Sequence, residues 1–202
     1  PQTSGANSVS GLATQLLEAS PFETFALAGL SMGGYIALEV ARQAPRRVRK
    51  LALLGTNARA DSPDQTQRRH ELMALATKDG AFGKVIELLL PALVNRARSY
   101  DPQVVGTVRT MARNIGLNAF LNQEEAIMSR PESLPFLTHI AYPTLVLCGK
   151  QDSLTPPALH LEMANAIPNA VLKVIEDCGH LSTIEQPEEV NLAMRAWLQS
   201  PH

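Results

Sequence analysis

Cysteine is scarce in this sequence. Only Cys148 and Cys178 occur, too few for the disulfide framework of a small secreted domain, so both are expected as buried free thiols. Neither sign of charge dominates. Eighteen lysines and arginines against nineteen aspartates and glutamates leave a net charge of −1, which argues against nucleic acid or an anionic membrane as partner. The densest basic stretch, Arg42, Arg46, Arg47, Arg49 and Lys50, reads as the solvated end of a helix, where cations suit the dipole. No run of about eighteen apolar residues exists, so no membrane span is expected and a cytoplasmic setting is the corresponding expectation. No cluster of His, Cys, Asp and Glu has zinc spacing, and neither a glycine-rich phosphate loop nor a G-x-G-x-x-G stretch is present. No metal and no nucleotide cofactor is therefore implied.

What is present is organised around residues 25–40. A short apolar run, Phe25-Ala26-Leu27-Ala28, reaches Gly29; Ser31 follows two residues on, then Gly33 and Gly34, and a helical pattern begins at once with Ala37, Leu38, Val40 and Ala41. Strand, sharp turn and helix in that order, with Gly-x-Ser-x-Gly at the turn, lift a serine hydroxyl off the strand end. The glycines leave room for the backbone to pass close to itself. The Met32 amide then lies at a helix N-terminus, aimed at whatever Ser31 attacks.

The 202 residues and 45% hydrophobic content suit one domain with a sizeable core. Residues 1–8 are polar and turn-like, a helix is expected from Gly11 to about Glu18, and Pro21 closes it before a first strand over 24–28. After the helix that follows Ser31, Pro45 stops the pattern and residues 48–55 read as a buried parallel strand. From Asn57 to about His139 helical patterns succeed one another, separated by Gly80, Pro91, Asp101-Pro102, Gly116 and Pro131, with Asp101 and Pro102 as cap and first residue of a helix. Strands are expected again over 144–149 and 170–175, a helix from Pro156-Pro157 to about Ala166, and a closing helix over 187–198. The alternation predicts an α/β fold: a mainly parallel sheet with crossover helices and a helical insertion.

In such a sheet ligands bind beyond the carboxyl ends of the strands. Ser31, Asp152 and His180 each follow a strand end, so the topology carries them to one edge in the order nucleophile, acid, histidine. A serine needs a base to take its proton; His180 is that candidate, and Asp152 would fix its tautomer and stabilise the imidazolium. Competing readings are a helix cap near Pro156 for Asp152 and a plain loop histidine for His180. Asp177, three residues before His180, is poorly placed to reach around the ring, and Asn57 carries an amide in place of a carboxylate. His70, His139, His160 and His202 lack a strand-end glycine; His70 and His160 fall in helical patterns and read as surface or packing residues.

The chain resembles the α/β-hydrolase superfamily. Gly29-Leu30-Ser31-Met32-Gly33-Gly34 matches its elbow, Gly149-Lys150-Gln151-Asp152 its acid loop, and Gly179-His180 with Glu185 and Pro187 its histidine loop. The resemblance covers nearly the whole chain, with residues 1–57 and 139–202 as the core and 58–138 where the family carries its cap. Within the superfamily, the stretches 31–34 and 180–187 are similar to 3-oxoadipate enol-lactonases and related small esterases. The resemblance implies a serine hydrolase of a small carboxylic ester or lactone, with Met32 in the oxyanion hole and no cofactor. The alternatives are a carbon-carbon bond hydrolase using the same residues and a non-catalytic ligand-binding module. Phe120 and Met128 are the candidate pocket residues of the cap, the competing reading being packing within the cap itself.

Acyl transfer asks for two donors to the developing oxyanion, and no His-Gly or Gly-Gly loop after a strand precedes Ser31. Only four parallel strands are readable, and the first would have an exposed apolar edge. The resemblance implies further strands before residue 1; one edge of the first strand is expected to be unpaired and the 202-residue chain to be a poor hydrolase.

Overall fold

The computed structural model describes residues 6–201. Four strands, β1 (Phe25–Leu30), β2 (Val48–Leu54), β3 (Thr144–Gly149) and β4 (Ala170–Ile175), form one sheet in the order β1-β2-β3-β4. All three pairings are parallel, with Leu27 opposite Leu51, Leu53 opposite Val146 and Val146 opposite Leu172. These residues face the layer that contains α1 (Val9–Ala19), α2 (Met32–Gln43) and α7 (Pro157–Ala166); Ala52, Leu54, Leu145, Leu147 and Ile175 face the opposite layer, under α9 (Pro187–Gln199). β3 is buried along its whole length, which is why its sequence is apolar without alternation. β1 runs two residues beyond the expected Ala28 because Gly29 and Leu30 still pair with Leu53 and Leu54, leaving the turn to Ser31 alone. Among the described residues β1 pairs with β2 only, so its outer edge is unpaired as expected. α1 begins earlier than expected because the Ser8 hydroxyl accepts from the Gly11 amide and caps it. Residues 1–5, most of the polar stretch expected over 1–8, and His202 lie outside the described residues.

Between β2 and β3 stand α3 (Pro63–Ala76), α4 (Phe82–Leu93), a 3-10 turn (Arg96–Arg98), α5 (Pro102–Met128) and α6 (Leu134–Leu137). Asp101 caps α5 by accepting from the amides of Gln103 and Val104, with Pro102 as first helical residue. Gly116, at φ 76°, interrupts α5 as its composition predicts. Pro91 does not separate two helices: it lies in the last turn of α4, where the missing amide costs one hydrogen bond.

Two attachments hold this insertion over the sheet. Arg130 packs 4.2 Å over the Tyr35 ring of α2 and pairs with Asp61 at 2.8 Å; Arg69 bridges Asp61 (2.6 Å) and Glu124 (2.8 Å). At the other end Leu90, Val94, Val104, Val105 and Val108 bury a small core against Leu181 and Ile184, which flank the loop of His180.

In the basic stretch Arg46 and Arg49 are exposed as expected, but Lys50 and Arg47 differ from a solvated role. Lys50 is 6% exposed and donates to the carbonyls of Trp197 and Leu198 and to Ser200, at the C-terminal end of α9 where a helix leaves carbonyls unpaired. Arg47 likewise donates to the carbonyls of Leu17, Ser20, Phe22 and Glu23, closing the connection between α1 and β1. The charges of Lys50 and Arg47 serve backbone carbonyls, which the sequence pattern does not reveal.

Candidate active site

Ser31 is the single residue between β1 and α2, at φ 54° and ψ −120°, a backbone conformation that a side-chain-bearing residue adopts only under constraint. The constraint is visible: its amide donates to the Leu54 carbonyl at 2.9 Å, and its carbonyl accepts from Gly34 N at 2.8 Å and from the Thr56 hydroxyl at 2.9 Å. Gly29 is needed because any Cβ there would collide with the Gly33 carbonyl across the turn. The result is a hydroxyl raised above the sheet's carboxyl edge, with the Met32 amide at the first position of α2.

Ser31 Oγ lies 2.8 Å from His180 Nε2, and His180 Nδ1 lies 2.9 Å from Asp152 Oδ2. The histidine and the aspartate are 2% and 3% exposed, so water does not compete for the bond between them. Asp152 is held by more than His180: its Oδ1 accepts from the amides of Leu154 (3.0 Å) and Thr155 (2.9 Å), and its Oδ2 from the Thr155 hydroxyl (2.7 Å). Burial works against the charge of this carboxyl. The hydrogen bond and charge of His180 and the donors of Thr155 outweigh it, holding the group below the usual carboxylate range. An ionised acceptor at Nδ1 puts the ring proton there and leaves Nε2 bare to accept from the serine.

The loops that present the aspartate and the histidine are joined to each other. Gln151 donates its amide to the Cys178 carbonyl (2.8 Å) and accepts from the Cys178 amide through Oε1 (2.9 Å). Glu185, 2% exposed, accepts from Gly179 N at 3.1 Å and from Asn95 N of the insertion at 2.7 Å, tying the histidine loop to the cap. Cys148 and Cys178 are free and buried, and burial, aided by the charge of Asp152 at Cys148 and of Glu185 at Cys178, pushes each thiol up to about 12. Both are protonated and unreactive at neutral pH.

Of the other residues named from sequence, Asn57 holds Tyr35 Oη (3.3 Å) and the Arg59 amide (2.8 Å), and Asp177 is exposed at φ 49°, away from the ring of His180. Phe120 packs on Phe82 within the insertion, ring centroids 5.6 Å apart, and Met128 is half-buried near the end of α5. Neither lines the cavity of about 610 Å3 between α9 and β3–β4 or that of about 320 Å3 beside Arg98 and Glu188. His160, expected at the surface or in simple packing, is fully buried and hydrogen-bonded at both ring nitrogens. Sequence reasoning passed over Thr56 and Thr155. The Asp-x-x-Thr spacing is a readable turn signal for the second; nothing in the sequence marks the first.

A parallel sheet whose carboxyl edge gathers a serine on a strand-to-helix turn, a histidine and an acid defines a class, and the chain belongs to it: the alpha/beta hydrolase fold family, whose sequence model matches residues 7–187. A thermophilic esterase from Thermogutta terrifontis shares 32% identity, with a TM-score of 0.88 over 96% of this chain and 73% of that one. The 2-hydroxy-6-oxononadienedioate/2-hydroxy-6-oxononatrienedioate hydrolase 2 of Pseudomonas putida is 27% identical over 91% of this chain, which spans 66% of that protein. The fold is also that of an enol-lactonase from Burkholderia xenovorans LB400, at a TM-score of 0.85 and 24% identity over 96% of this chain and 74% of that one. Among the described residues, no helix is long and apolar enough to cross a membrane.

Proposed function

We propose that the chain is a serine hydrolase of small carboxylic esters or lactones working through an acyl-enzyme. The observation that carries this reading is the imidazole of His180 bridging Ser31 Oγ at 2.8 Å and Asp152 Oδ2 at 2.9 Å. Ser31 Oγ attacks the substrate carbonyl while its proton passes to His180 Nε2, and Asp152 stabilises the imidazolium. The oxyanion forms toward the Met32 amide at the N-terminus of α2. His180 then gives its proton to the leaving alkoxide, leaving an acyl group on Ser31, and a water deprotonated by the same Nε2 releases the acid. For a lactone the leaving alkoxide stays attached to the acyl chain.

Similarity to the Thermogutta terrifontis esterase supports the ester reading. A second reading, hydrolysis of a carbon-carbon bond next to a carbonyl, is favoured by similarity to the Pseudomonas putida hydrolase. Specificity falls to the cap between β2 and β3, with Phe120 and Met128 as its proposed pocket residues. Met32 is the donor assigned to the oxyanion. The test that does not depend on turnover is covalent labelling by a fluorophosphonate: one adduct per chain, on Ser31, lost in Ser31→Ala. A panel of p-nitrophenyl esters, lactones and vinylogous diketones then separates the two readings. A folded chain that takes no label and hydrolyses none of the panel would overturn both.

A further inference from the structure

The mechanism above makes no use of His160, yet it is fully buried, and both of its nitrogens are spent on backbone atoms that belong to the site. Nε2 lies 3.0 Å from the Thr56 amide, and Nδ1 lies 3.3 Å from the Pro156 carbonyl. An amide only donates and a carbonyl only accepts, so the ring is neutral with its proton on Nδ1. Burial, the largest influence on this ring, favours the same neutral form; the charge of His180 adds to it, while the Pro156 bond and Asp152 oppose it.

Each of the two backbone segments leads to one side of the site. Thr56, itself fully buried, donates its hydroxyl to the Ser31 carbonyl at 2.9 Å, and two residues earlier the Leu54 carbonyl accepts from Ser31 N. Gly55 between them, at φ 48°, lies against His180 and Asp152. Pro156 follows Thr155, which donates twice to Asp152. One imidazole therefore spans from the segment that fixes the Ser31 backbone to the segment that fixes the acid. A conformation as unfavourable as that of Ser31 persists only where its surroundings over-determine it. A leucine would fill the same volume and hold neither segment.

We infer that His160 is a positioning residue: as a neutral ring it brackets the Ser31 elbow to the Asp152 loop and so sets the approach of Ser31 Oγ to His180 Nε2. The inference rests on the reading of Ser31 as the nucleophile. The experiment compares wild type, His160→Leu, His160→Gln and Thr56→Val by fluorophosphonate labelling rate, by kcat and KM on a p-nitrophenyl ester, and by thermal unfolding. Displacing a reacting group by an ångström costs on the order of a hundredfold. His160→Leu is expected to lower the labelling rate and kcat by about 10- to 100-fold with KM within about twofold, on that same basis. His160→Gln, which places an acceptor near the position of Nε2, restores most of the rate; Thr56→Val, which cuts the link to Ser31 and keeps the amide, lowers kcat with KM unchanged.

A folded His160→Leu that labels at the wild-type rate overturns the inference, as does His160→Gln being as slow as His160→Leu, or a rise in KM at constant kcat. If His160→Leu does not fold, Thr56→Val decides, and a wild-type kcat there overturns the bracket. Wild type that takes no label fails the proposed function itself, and the bracket falls with it.

Discussion

Replacing Asp152 by asparagine exchanges one oxygen for an NH2, and the surroundings of the carboxylate dictate how the new amide sits. Oδ1 accepts from the amides of Leu154 and Thr155 at 3.0 and 2.9 Å, so the side-chain carbonyl of the asparagine must keep that place. Turning the amide over would set both N–H groups against an NH2, at about 1–3 kcal/mol for the buried amide of Thr155 alone. The NH2 therefore takes the position of Oδ2, 2.9 Å from His180 Nδ1 and 2.7 Å from the Thr155 hydroxyl, which can reverse and accept. A donor at Nδ1 forces the ring proton to Nε2, where it points at Ser31 Oγ, and the histidine can no longer take the serine's proton. The corresponding substitution in a serine protease costs about 10^4 in kcat, or about 5 kcal/mol of barrier. We expect a loss of about that size in Asp152→Asn, read as the fluorophosphonate labelling rate and as ester turnover, in a protein that unfolds as cooperatively as wild type. Retention of more than about a tenth of the wild-type rate would refute the tautomer argument, because a factor of ten is about 1.4 kcal/mol.

Three further outcomes follow from the same geometry. Lys50→Met removes the donor to the part-buried carbonyls of Leu198 and Ser200, while that of Trp197 keeps the Ser200 hydroxyl, and should lower the unfolding free energy by about 1–3 kcal/mol in urea titrations. The carboxyl of Asp152 is held below its unfolded value of about 3.9, so its contribution is full above that value and is lost as pH falls through the lower folded value; stability measured from pH 6 to 3 should fall less steeply in Asp152→Asn. Cys148 and Cys178, both protonated with thiols pushed up to about 12, should resist iodoacetamide in the native protein and react on unfolding, and intact mass should give two free thiols with or without reductant.

The strands over 144–149 and 170–175 stand where the sequence puts them because each is bounded by turn residues, and the first is buried enough to be uniformly apolar. Gly29, Ser31 and Gly33 announce a turn by composition alone, and the glycine before His180 and the strand before Asp152 place the other two residues at the same edge. The supports behind them are not legible. His160 accepts from the Thr56 amide and Lys50 donates to the Trp197 carbonyl, each more than a hundred residues away, Thr56 acts through the Ser31 carbonyl, and a backbone partner has no identity in a sequence. Pro91 shows the limit of punctuation, since a proline near a helix end gives up one hydrogen bond and the helix runs past it. The bridges from Asp61 to Arg69 and Arg130 join three segments whose charges read separately as ordinary surface residues.

In the proposed reaction Ser31 carries an acyl group during turnover. The direct measurement is a rapid acid quench of the chain with an activated ester in excess, followed by peptide mass analysis across residues 25–40. The expected result is a mass increase equal to the acyl group on the peptide containing Ser31, absent in Ser31→Ala, which should also be inactive. An acyl adduct on another residue, or a Ser31→Ala variant that hydrolyses the ester at the wild-type rate, would contradict it.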